Sequence, residues 1–169
     1  MVKRILFVVL IGICLLPVRS NGQSQLPAHA ESSQSGTLFQ YRLVNDGSPG
    51  DGQFINSFML LVSAPITVTQ TPVGWQFATD GIGYVSWYSM DTALPYVHDL
   101  QPGASLDGFA ISSNVDTAEM LSYSITSWDH LGDSPGLDLS GAIVAPSAPY
   151  IEAPQRTFLP LIYRTGIVD

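Results

Sequence analysis

From Thr37 onward the chain is a succession of short apolar runs separated by glycine, proline, asparagine and aspartate, and helical spacing of apolar residues is nowhere sustained. Leu38 to Asn45 alternates, with Phe39, Tyr41 and Leu43 on one face and Gln40 and Arg42 on the other, which predicts a half-buried strand. Phe54 to Val62 is apolar on both parities, Phe58, Leu60 and Val62 against Met59 and Leu61, as a central strand or one with a covered outer face would be. Ile66 to Gln70 and Trp75 to Thr79 are short strands on either side of a Thr71-Pro72-Val73-Gly74 turn, where proline pre-sets the backbone angle. Asp80-Gly81 predicts a type I′ hairpin leading into Tyr84 to Tyr88, with Gly83 as a bulge candidate. Gln101-Pro102-Gly103 predicts a type II turn into Leu106 to Ser112, where Phe109 and Ile111 share a face. In Met120 to Ser127 the residues Leu121, Tyr123 and Ile125 point inward against Ser122, Ser124 and Thr126, and Ser134-Pro135-Gly136 predicts a turn before a weak last strand at Ile143-Val144.

The pattern is all-β, and about seven or eight strands in one antiparallel stack is the size of an immunoglobulin-like β-sandwich. Residues 37–145 are assigned to this domain. Gln23 to Gly36, rich in glutamine and serine without apolar periodicity, reads as a flexible leader over 23–36. Residues 146–169 read as a proline-rich tail with one apolar patch, Phe158 to Tyr163, suited to packing along a sheet edge.

The first residues differ in kind. Lys3 and Arg4 precede an apolar run of twelve residues, Ile5 to Leu16, closed by Pro17 and small polar residues. This is the layout of a secretory signal peptide, and the run is short of the about twenty residues that span a bilayer as a helix, so permanent membrane insertion is not expected. Ser20 and Gly22 place the cut after Gly22, giving a signal over 1–22, with Ala28-His29-Ala30 as the second choice. Cys14, the only cysteine, leaves with the signal, and Ile13 before it is too bulky for a lipoprotein cut. The exported form is then held together by its apolar core alone. Leu159-Pro160 followed by Thr165-Gly166 has the letters of a sortase signal with the wrong spacing.

Charge narrows the partners. Six basic residues face fourteen acidic ones, and loss of Lys3, Arg4 and Arg19 leaves Arg42, Arg156 and Arg164 against the fourteen, a formal charge of −11. Nucleic acid is excluded as a partner because phosphate neutralisation needs clustered lysine and arginine, and anionic lipid is disfavoured for the same reason. An envelope protein or a polysaccharide, met at the cell surface or outside the cell, remains.

Pro72-Val73-Gly74-Trp75, then Trp87, then Leu100-Gln101-Pro102-Gly103-Ala104-Ser105-Leu106-Asp107-Gly108-Phe109 resemble a β-sandwich domain of secreted and surface bacterial proteins. In that domain a Pro-x-Gly-Trp turn and a Pro-Gly-x-Ser-Leu-x-Gly-Phe turn bracket a tryptophan strand. The resemblance covers residues 37 to 127. Its members are largely uncharacterised, so it implies a fold and a compartment and brings no catalytic residues. Some members end in a membrane-sorting tail, which this sequence does not show.

Several groups are candidates for chemistry. His98-Asp99 and Asp129-His130 would make a metal site or an acid/base pair if their loops met at one end of the sandwich. Adjacent residues point to opposite faces, so polar loop positions are the plainer reading. Ser105 and Ser112-Ser113 lack a nucleophile-elbow context, and the protein is not expected to be an enzyme. Asn45-Asp46 with Asp51, or Asp129 with Asp133 and Asp138, offer oxygens to a structural Ca2+, although neither set follows the twelve-residue calcium loop. No other cofactor is implied. Trp75 and Trp87 lie within apolar strands and are expected in the core. Trp128 has the opposite parity to Tyr123 and Ile125, and Trp128 and Tyr88 are the candidates for stacking a sugar ring. The sequence thus points to an exported, non-catalytic structural or adhesive sandwich, with a carbohydrate-binding module as the alternative.

The exported form is expected to begin at Gln23, read by N-terminal sequencing or intact mass. A start at Glu31 would move the cut to Ala30, and retention of Met1 would remove the signal assignment.

Overall fold

A computed structural model describes residues 25–148; the expected signal and nearly all of the expected proline-rich tail lie outside them. Nine strands run in the order β1 (Ala28–Ser35), β2 (Leu38–Asn45), β3 (Gln53–Leu61), β4 (Ile66–Gln70), β5 (Trp75–Thr79), β6 (Tyr84–Ser89), β7 (Ser105–Ser113), β8 (Ala118–Asp129) and β9 (Ser134–Pro146). They form two antiparallel sheets, β1-β2-β7-β4 and β5-β6-β3-β8-β9. A nine-stranded immunoglobulin variable domain has the same spatial order, A-B-E-D against C″-C′-C-F-G. The connections differ: β4, directly after β3, takes the D position, and the chain then enters the other sheet from its edge inward as β5 and β6.

The expected strands β2, β4 and β5 have the predicted bounds, and the inward sets are as read: Phe39, Tyr41 and Leu43, then Phe58, Leu60 and Val62, then Phe109 and Ile111 are buried, as are Tyr123 and Ile125. In β3 the register against β8 shifts between Ile55 and Ser57. Ile55 and Phe58 therefore both point inward although three residues apart, and Phe54 is left on the outer side, which is what an extra residue in one strand does.

Three expectations need correction. The leader is not wholly free chain, because Ala28–Ser35 pairs with the whole of β2, from Ala28 opposite Asn45 to Ser35 opposite Leu38. Gly36-Thr37 closes this hairpin with Gly36 at φ 58°, a positive angle at the first turn position that glycine takes without strain. β1 escapes an apolar-pattern reading because it is an edge strand whose last five residues are exposed. It is fixed by Leu26, 2% exposed, and by Ala28 and Ala30 against the core. The sandwich thus begins at residue 28 rather than 37. A cut after Ala30 would remove three of the eight residues of β1.

The second correction is at the other end. Ser134-Pro135-Gly136 is not a turn but the start of β9, thirteen residues long, and the chain reverses one step earlier, over 130–133. Asp129 Oδ1 accepts the N–H groups of Leu131 (2.9 Å) and Gly132 (3.2 Å), so a side chain rather than a Pro-Gly pair makes the turn. Pro135 is tolerated because β9 is an edge strand. Similarly, the β5–β6 connection is the four-residue loop 80–83 rather than a two-residue turn, with Asp80 Oδ1 accepting from Ile82, Gly83 and Tyr84.

The core is aromatic at its centre. Phe58 stacks on Trp87 with ring centroids 5.5 Å apart and meets Tyr41, Phe109 and Tyr123 at 5.7 to 6.1 Å. Trp75 closes edge-on over Phe109 at 5.3 Å. Trp87 Nε1 and Tyr41 Oη are sealed from solvent without a hydrogen-bond partner among the described residues, and burial pushes the Tyr41 phenol well above its ordinary pKa.

Truncating the fully buried ring in Trp87→Ala is expected to cost about 3 to 5 kcal/mol by chemical denaturation. Tyr41→Phe, which removes an unpartnered hydroxyl, is expected to leave stability unchanged or raise it by up to about 1 kcal/mol. A loss in Tyr41→Phe as large as that in Trp87→Ala would mean the hydroxyl is hydrogen-bonded after all.

Candidate functional site

Chemistry-bearing side chains converge at the end of the sandwich where β6 leads into β7. After Ser89 the chain makes an excursion over residues 90–98 and rejoins the five-stranded sheet at Leu100, whose N–H and C=O bond to Ile55 at 2.8 and 2.9 Å. Asn45, 1% exposed, holds this return point: its Nδ2 donates to Leu100 O at 3.1 Å and to Gln53 O at 2.9 Å. The core reaches the excursion through Trp75 Nε1, which donates to His98 O at 2.9 Å. Gly74 packs its bare Cα on the His98 ring, since a Cβ there would lie 1.9 Å from His98 Cδ2.

Within the excursion, Asp91 clasps His98 by accepting its backbone N–H at 2.6 Å and lying 2.8 Å from its Nδ1. Burial acts to raise the Asp91 pKa, and the two His98 contacts outweigh it, so the carboxyl sits below its ordinary value. Asp99 pairs with His130 across the β8–β9 loop, Oδ2 to Nε2, at 3.0 Å. The His130 ring lies flat on Phe54, centroids 3.7 Å apart, which is where the outward turn of Phe54 at the β3 bulge finds its use. Tyr96 leans over His130 at 4.9 Å and donates its hydroxyl to Asp133 Oδ1 at 2.6 Å. Trp128 Nε1 donates to the same oxygen at 3.1 Å, and the two rings meet edge-on at 6.4 Å. Those two donors hold the Asp133 carboxyl below its ordinary pKa, and the bond to Asp133 raises that of Tyr96.

Asn56, Asp91, Thr92, Tyr96, Asp99 and Trp128 enclose a cavity of about 200 Å3 between these loops. A larger hollow of about 390 Å3 lies around Gln40, Arg42, Gln70 and Asp107. Its one cation, Arg42, is already engaged by Ser105 and Asp107, so the smaller cavity holds the distinctive chemistry.

The loops bearing His98, Asp99, Asp129 and His130 do meet, but the pairing is crossed. Asp91 serves His98 and Asp99 serves His130, while Asp129 is spent on its own turn. Neither imidazole is hydrogen-bonded to a serine or threonine hydroxyl among the described residues. For the calcium sets, the Asn45 amide is taken up by backbone groups, Asp46 lies 2.7 Å from His29, Asp51 accepts from Ser48 N, and Asp133 serves Tyr96 and Trp128. Among the described residues no three His, Cys, Asp or Glu side chains are grouped to hold a metal ion. Trp128 is half-buried on the cavity wall. Tyr88, 36% exposed, lies on the outer face of the same sheet opposite Ser57 and Gln76 and does not line the cavity. Tyr96 takes the place expected of it. Asn56, Asp91, Thr92 and Tyr96 carried no pattern signal in the sequence beyond their residue types.

Because Asp133 is held below the ordinary carboxylate value, the Tyr96–Asp133–Trp128 link is complete above about pH 4 and is lost as pH falls through the lowered value. The Trp128 component of fluorescence, taken as the difference between wild type and Trp128→Phe, is expected to change in that acid range. In Asp133→Ala the acid-like signal should already be present at neutral pH, and an acid transition unchanged in Asp133→Ala would assign it to another group.

No protein-family model matches the chain, and no curated protein matches it. Among solved structures, the chain is similar to an uncharacterised protein from Nocardia farcinica with an immunoglobulin-like fold, at 15% identity and a TM-score of 0.44, over 70% of this chain and 83% of that one.

Proposed function

We propose that the protein is an exported, non-catalytic adhesive β-sandwich that holds a saccharide in the cavity walled by Trp128. The observation that carries this reading is a half-buried indole beside a tyrosine, facing Asn56, Asp91, Thr92 and Asp99 across about 200 Å3. A sugar ring offers an apolar C–H face and a rim of hydroxyls, and it is matched by an aromatic plane with carboxylate and amide groups at its edge. The volume is below the about 300 to 1,000 Å3 of pockets for drug-sized ligands, which suits a single ring at the end of a glycan. Export is supported by the basic, then apolar, then small-residue start of the chain, and its acidity disfavours polyanionic partners. The imidazoles act here as struts: each is tied to an aspartate and orients it toward the cavity wall.

On a glycan panel with the purified full chain, saturable binding with a tryptophan spectral shift is expected. Trp128→Ala should abolish it with the melting temperature nearly unchanged, since the ring is half-buried and outside the core. Absence of binding to every glycan would leave a purely structural role, and turnover lost in His98→Ala or His130→Ala would replace the proposal with hydrolysis.

A further inference from the structure

We infer that the cavity selects saccharides carrying a free, protonated amino group, with Asp99 as the counter-ion. This rests on the saccharide reading above and adds the charge of the ligand. The Asp99 side chain is only 3% exposed, yet just one of its oxygens is used: Oδ2 faces His130, while Oδ1 meets no donor among the described residues. Oδ1 is not among the sealed polar atoms and so keeps some solvent contact, and Asp99 lines the cavity.

A carboxylate so deeply buried costs desolvation energy that a complete set of donors would offset, and the fold leaves one acceptor without its donor. Among the described residues nothing supplies the missing donor. Arg42 is the only lysine or arginine among the described residues, and it is engaged by Ser105 and Asp107 in the other sheet. Asp91, on the same wall, has its two oxygens satisfied by His98 and adds negative charge without competing for a donor. Tyr96 and Trp128 complete the arrangement, because aromatic faces stabilise an ammonium group that has left water. A hydroxyl or an acetamide N–H in this position would donate to Oδ1 but leave the carboxylate charge uncompensated, and the acetamide is bulkier. A protonated amine both donates and brings the opposite charge, so the contact becomes an ion pair.

The test uses β-1,4-linked oligomers that differ only at the second carbon of each ring: glucosamine, N-acetylglucosamine and glucose. They are measured by calorimetry against the full chain, with added salt to screen exposed charge, and a lysine-rich peptide serves as a fourth ligand. The glucosamine oligomer is expected to bind about tenfold tighter than the other two. Asp99→Asn, which can still accept from His130, is expected to bring it down to their level. Equal affinity for the three oligomers would overturn the selectivity while leaving the saccharide reading intact. No binding of any oligomer would overturn both. Equal binding of the lysine peptide, or unchanged glucosamine binding in Asp99→Asn, would trace the attraction to amines or acidity in general and overturn the inference.

Discussion

The packing of Phe58 against rings from both sheets is the contact on which the rest of the structure depends. Antibody domains pin their sheets with a disulfide between strands B and F beside a tryptophan of strand C. Here the strands in those positions are β2, β8 and β3, and they bring Tyr41, Tyr123 and Phe58 to the centre. The only cysteine, Cys14, lies outside the described residues. Each ring pair of this geometry contributes about 0.5 to 1.5 kcal/mol beyond its area burial, so the four contacts on Phe58 rival a typical disulfide of about 2 to 4 kcal/mol. Such a core has a cost: Tyr41 and Trp87 bring polar atoms to the centre, and both are left unpartnered among the described residues.

The candidate site is suspended from that core rather than built beside it. Trp75 packs on Phe109 with its ring and fixes the His98 carbonyl with its indole nitrogen, so one side chain joins the aromatic centre to the 90–98 excursion. The β3 bulge acts at the other end, because it turns Ile55 inward, where Leu100 docks, and leaves Phe54 outward as the platform for His130. Asp91 and Asp99 then stand near the two ends of the excursion, each tied to its own imidazole. Side chains held in this way lose little freedom when a ligand arrives, and the saving in ordering cost is what preorganisation contributes to affinity.

The division between what the sequence reveals and what it hides follows the same line. Strands that bury one face carry a period of two, and β2, with Phe39, Tyr41 and Leu43, could be bounded to the residue. β1 and the first half of β9 are edge segments with little to bury, so their order comes from backbone pairing, which leaves no side-chain pattern. The only local sign of β1 was Gly36, a residue that also fits a loop. In the site, Trp128 was legible because its parity conflicts with that of its own strand. Tyr88 follows the alternation of β6 outward to an open sheet face, apart from the cavity. Tyr96 could not be placed: its position depends on where an irregular excursion returns to the sheet, which is set by the Ile55–Leu100 pairing and by the buried Asn45 amide.

The crossed pairing of aspartate and histidine decides what the site is suited to. Had each histidine paired with its sequence neighbour, Asp99 would have been turned toward His98 in its own loop and away from His130. With Asp99 spanning to His130 instead, its second oxygen is left at the cavity, next to Asp91 and near Asp133, all on a chain of strong net negative charge. The carboxylates of Asp91 and Asp99 bring negative charge to the pocket, and a low-dielectric wall focuses its potential rather than letting water screen it. Uronic or sulfated sugars would meet repulsion there before any contact formed. In the proposed role the electrostatics would act first as exclusion, and the aromatic wall of Tyr96 and Trp128 would act afterwards on a neutral or cationic ring.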